Sequence, residues 1–167
     1  MNCNISGPHE VQRTKNESKH PYFDITVYPK SGAPSTETAT WAKQLSALLE
    51  EVVSPVYSRK QFTITLYQNG DFIDCVNSLY RECVRSGIHL QKSFWGVSIE
   101  LGNGQHNVIW SVVDGRANEL LYMNSIGEFE GEVVLQVYDE TQKIVTKEIL
   151  NVRKELTTEV ANQYIFS

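Results

Sequence analysis

A chain of 167 residues with 41% hydrophobic and 10% aromatic content is long enough to bury a core, and its composition is ordinary for a folded domain. Its 15 Lys and Arg against 20 Asp and Glu give a net charge of −5, and the longest basic cluster is the pair Arg153-Lys154, so the composition argues against binding nucleic acid. No apolar run approaches the roughly 20 residues that span a bilayer, and the first residues hold no apolar segment of the signal-peptide kind, so the expectation is a cytoplasmic protein without a membrane partner.

In chain order, residues 1–20 carry few apolar side chains and read as a flexible polar tail or a strand-edge arm, ahead of a single globular domain over residues 21–167. Phe23, Ile25 and Val27 alternate with Asp24, Thr26 and Tyr28, the pattern of a strand with one wet face. From Ser35 the period changes. Trp41, Leu45, Leu48, Leu49, Val52 and Val53 form one apolar stripe of a helix that Ser35 or Thr36 caps and Pro55 ends. Phe62, Ile64 and Leu66 mark a second strand over Gln61 to Gln68, closed by Asn69-Gly70. Asp71, with Asp74 three residues on, opens a second helix whose stripe is Phe72, Val76, Leu79 and Cys83, stopped at Gly87.

The clearest signal is a hairpin from Phe94 to Gly115. Trp95, Val97, Ile99 and Leu101 alternate on one arm and Val108, Trp110 and Val112 on the other, about a turn at Gly102-Asn103-Gly104, which predicts one buried face. Leu120 to Met123 fits a strand or a turn of helix. Val133 to Tyr138 and Lys143 to Leu150 predict a second hairpin across Asp139 to Gln142, and Val152, Leu156, Val160 and Tyr164 a closing helix. The expected fold is α+β, with a mostly antiparallel sheet of five to seven strands and two or three helices packed on one face.

No motif names a reaction. There is no phosphate loop, and Gly102-Asn103-Gly104 lies between two strands, where a turn needs its glycines. There is no CxxC, HExxH or HxH, and His9, His20, His89 and His106 are scattered, so no metal or other cofactor is expected. Cys75 or Cys83 with His89 or His106 is the visible thiol and base combination. Cys83 falls on an apolar stripe, where it acts as a small hydrophobe. Cys75 lies one residue off it, expected part-exposed with its pKa raised by Asp71 and Asp74. Two helix residues eight apart stand about 12 Å from each other, too far for a disulfide, so the thiols are expected reduced.

Charge is uneven. Asp114 to Glu140 holds seven acids (Asp114, Glu119, Glu128, Glu130, Glu132, Asp139 and Glu140) against Arg116 alone. In an extended chain Glu128, Glu130 and Glu132 would point one way, with Phe129, Tyr122 and Tyr138 as aromatic anchors. That pattern predicts a surface for a basic protein, and the leading expectation is a bacterial immunity protein masking a basic, nuclease-like toxin domain. A secretion or assembly chaperone and a small enzyme with dispersed carboxylates and His89 or His106 are the alternatives.

Overall fold

The computed structural model describes residues 3–10 and 21–166, with side chains to residue 159. Two units divide the chain, residues 1–91 and residues 92–167.

The first unit is a three-stranded sheet with two helices on one side. Its strands β1 (Cys3–Glu10), β2 (Tyr22–Tyr28) and β3 (Lys60–Tyr67) run in the order β1-β3-β2. Helix α1 (Thr36–Val52) connects β2 to β3, which therefore pair in parallel, from Tyr22 opposite Gln61 to Tyr28 opposite Tyr67. β1 pairs antiparallel with β3, so Cys3 to Glu10 takes the strand-edge form, while residues 11–20 lie outside the described residues. Phe23, Val27, Phe62, Ile64 and Leu66 point to one face and are buried. Against it pack α1, through Leu45, Leu48, Leu49 and Val52, and α2 (Phe72–Arg85), through Phe72, Val76, Leu79 and Cys83. Each such side chain contributes about 1.5–3 kcal/mol by leaving water.

Helix boundaries follow the caps in the sequence. Ser35 accepts from the Thr38 amide at 3.3 Å and its own amide donates to Thr38 Oγ1 at 2.8 Å; Asp71 and Asp74 make the same reciprocal pair, both at 3.0 Å. After α2, Gly87 at φ +73° lets the Ile88 amide return to the Cys83 carbonyl and the Gly87 amide to that of Val84, which satisfies two carbonyls of the last turn.

The second unit is an antiparallel meander with one long helix. β4 (Ser93–Leu101), β5 (Gly104–Val113) and β6 (Arg116–Gly127) pair in chain order, and α3 (Gly131–Phe166) packs on all three. Gly102 and Asn103 have φ of +57° and +66°, the mirror-image turn that a two-residue hairpin loop requires. β6 resolves the ambiguous stretch as strand. From α3, Val137, Thr141, Val145, Ile149, Val152 and Leu156 are buried, at steps of three or four residues.

Four expectations are corrected. The six described strands form two sheets of three rather than one of five to seven, because the ladders close within each set, β1-β3-β2 before α2 and β4-β5-β6 after it. The second hairpin does not exist: Asp139 to Gln142 lies inside the first third of α3, not in a turn. The central hairpin is not buried on one face alone, since Phe94, Ile109 and Ser111 are as buried as Trp95, Val108 and Trp110 on the alternate positions. Cys75 is 3% exposed rather than part-exposed.

Candidate functional site

The ten predicted partner-binding residues do not converge. Asp114 sits in the β5–β6 turn at φ +53°, while Glu128, Phe129, Glu130 and Glu132 lie beyond the other end of β6. Twelve strand residues separate the two groups, on the order of 40 Å at about 3.3 Å per residue. Glu119 is neutralised by Lys92 at 3.3 Å. Gly131 begins α3, so Glu128, Glu130 and Glu132 do not line one extended face; the Glu130 carbonyl accepts from the Val133 amide at 3.0 Å in the entry to the helix.

The three aromatic anchors are structural to different degrees. Phe129 packs edge-on against His106, ring centres 5.0 Å apart, and Tyr138 against Trp110 at 4.7 Å. Tyr122 stands opposite Ile109 in the β5–β6 ladder and is half-buried. Asp139 and Glu140 are exposed on α3.

Of the nucleophile and base candidates, Cys75, Cys83 and His106 are built into the core, while His89 is exposed. His106 is fully buried; Nδ1 lies 2.7 Å from Ser125 Oγ and Nε2 3.0 Å from the Leu101 carbonyl, so it ties the end of β4 to β6. Because a carbonyl only accepts, Nε2 carries a proton. His89 uses its amide to donate to the Tyr57 hydroxyl at 2.9 Å. Among the described residues no group of three or more His, Cys, Asp or Glu side chains is placed to hold a metal ion, and no helix is long and apolar enough to cross a membrane.

Cys3, Cys75 and Cys83 are free and buried in the first unit. Burial pushes Cys3 up to about 12, with Glu82 adding to it. It pushes Cys75 up to about 11, with Asp74 and then Asp71, the two carboxylates named from the sequence, adding to it. Cys83 is raised as well, again by burial. A thiol held protonated is a poor nucleophile. In the unfolded chain these groups titrate near 9, so the stability they contribute is complete below that pH and is lost as pH rises towards 11–12. The urea midpoint is therefore expected to fall between pH 9 and 11 more steeply for the native sequence than for Cys75→Ala; parallel pH profiles of the two would refute it.

One surface feature escaped the sequence reading. Within the first unit, the face of the β1-β3-β2 sheet opposite α1 and α2 is open: Asn4, Ser6, Asp24 and Thr63 are exposed. At its end Tyr28 and Tyr67, opposite each other in the parallel ladder, stack with ring centres 5.5 Å apart and planes 21° from parallel. Tyr67 is 52% exposed. The alternation of both strands already placed these tyrosines on the wet face, but only the parallel register brings them together.

No protein-family model and no curated protein matches this sequence. Among solved structures, the crystal structure of Rrp46 from rice (Oryza sativa) is similar with a TM-score of 0.80, covering 93% of this chain and 82% of that one at 12% identity. The likeness is one of fold. It overturns the expected immunity protein, together with its toxin partner and the exclusion of nucleic acid. The carboxylates are not one row: Asp114 and Glu119 lie apart from Glu128, Glu130 and Glu132, which precede or open α3.

Proposed function

We propose that the chain is an RNase PH-like protein that works in RNA processing, in contact with RNA and with other proteins of a complex. The observation that carries this reading is the fold shared with rice Rrp46 over 93% of the chain. A cytoplasmic or otherwise reducing compartment suits it, since all three buried cysteines are free thiols.

The charge distribution fits contact with a polyanion better than the total does. Residues 1–91 hold nine Lys and Arg and nine Asp and Glu, whereas residues 92–167 hold six against eleven. The acid excess that would repel RNA therefore belongs wholly to the second unit.

One fold hosts many functions, so RNA contact is tested directly. Ultraviolet crosslinking of the tagged chain in its own cells is expected to recover RNA covalently joined to it, and depletion of the chain to let unprocessed transcripts accumulate. The absence of both crosslinked RNA and accumulated transcripts would reject the reading.

A further inference from the structure

We infer that Tyr28 and Tyr67 form a stacking platform for an unpaired RNA base on the open face of the β1-β3-β2 sheet. The inference rests on the RNA-processing reading and assigns RNA a place on the first unit. In a β-sheet, facing residues on neighbouring strands share a side, so the parallel register that sets Tyr28 opposite Tyr67 aligns their rings. At 5.5 Å and 21° the two rings stack on each other, each covering part of one face of its partner, so the pair is a two-ring stack to which a base can add as a further layer on the exposed Tyr67. A pair formed only to stabilise the strand ends would gain most by being covered, yet Tyr67 keeps half its area in water. Exposed aromatic rings on an open sheet are what single-stranded nucleic acid uses, because every base offers a π-face.

The surroundings suit a neutral stacking contact with light electrostatic help. Thr26 and Thr65 adjoin the pair on the same side, supplying hydroxyls rather than carboxylates. Asp24 is the one carboxylate among the described residues of that face, and it lies four residues along β2 from Tyr28. Lys30, exposed, stands two residues beyond Tyr28, within reach of a phosphate next to the stacked base. This composition fixes the character of the interaction. One phosphate contact gives a slope of about −0.7 in log affinity against log salt for a single strand, far below that of a basic groove.

The test is fluorescence anisotropy of the full chain with a fluorescein-labelled oligoadenylate RNA, from 50 to 300 mM KCl. Binding is expected to be weak and nearly flat in salt. Tyr67→Ala is expected to weaken it roughly five- to a hundredfold, the range for losing one stacked base, while Tyr67→Phe, which keeps the ring, stays within about twofold of the native chain. Melting curves of both variants check that the sheet is intact. RNA binding left unchanged by Tyr67→Ala and by the double variant Tyr28→Ala/Tyr67→Ala overturns the platform while the RNA-processing reading stands. A steep salt slope, or equal loss in Tyr67→Phe, overturns stacking as the mode. If Tyr67→Ala instead releases proteins that co-purify with the chain and leaves RNA binding unchanged, the face docks protein and the inference fails. Absence of oligoadenylate binding also overturns it, and crosslinking in cells then decides separately whether the broader reading survives.

Discussion

Trp110→Ala is expected to cost about 3–5 kcal/mol of stability, the range for emptying a buried aromatic site. Trp110 is fully buried in the middle strand of the second unit, beside Trp95 on β4 and Leu120 on β6. Its indole N–H donates to Thr141 Oγ1 at 2.9 Å, and Tyr138 meets the ring edge-on at 4.7 Å. Thr141 in turn donates to the Val137 carbonyl at 2.6 Å, so the Ala variant leaves the hydroxyl its acceptor but removes the group it served. Trp110→Phe keeps most of the volume and loses the hydrogen bond, for a smaller cost of about 1–3 kcal/mol. Urea unfolding followed by circular dichroism measures both, because midpoint shifts at unchanged slope report stability. A shift below 1 kcal/mol for Trp110→Ala would mean that β5 does not sit at the centre of this core.

Phe62→Ala is expected to have a comparable effect on the first unit, about 3–5 kcal/mol. Phe62 is 1% exposed on β3, the strand with a partner on each side. It stacks on Phe23 at 5.6 Å and meets Tyr57 edge-on at 5.0 Å, contacts worth about 0.5–1.5 kcal/mol each beyond the area they bury. β1 depends on the same ring: a Cβ at Gly7 would lie 3.1 Å from its edge, so the strand backbone runs directly over it. Phe62→Leu is expected to retain more than half of the lost stability. Should Phe62→Ala unfold no earlier in urea than Phe62→Leu, the packing of β1 and β2 about this residue would be wrong.

What the sequence made legible were features whose causes are local. The stripe from Leu45 to Val52, the paired caps Asp71 and Asp74, and the Gly102-Asn103 turn each depend on residues within a few positions, and each forms where its pattern indicated. α3 was not legible for two reasons. Its N-terminal half is rich in Val and Ile, which favour strands, and Thr141 interrupts the apolar stripe between Val137 and Val145. That position tolerates a hydroxyl only because Trp110 and Val137, 31 and four residues away, satisfy it. The division into two sheets was hidden for a related reason: parallel pairing through α1 leaves no hairpin turn joining β2 to β3 to read. The candidate site residues are spread at the same step, since the straight length of β6 carries Glu128, Glu130 and Glu132 away from Asp114, while α3 returns to Ala117 through Gln142. Conversely, the tyrosine pair unites residues 39 positions apart.

The way β3 is partnered bears on how fast each part of the chain can order itself. Both neighbours of β3 are distant in sequence, β1 by about fifty residues and β2 across a whole helix, so its ladders close only after large loops have been drawn in. The meander of β4, β5 and β6 needs two tight turns, a process of microseconds for a hairpin. During refolding, then, residues 93–127 can gain ladder pairing before the first sheet does, and it is the late-closing, non-local sheet that governs how long unpaired strand edges stay open to other chains.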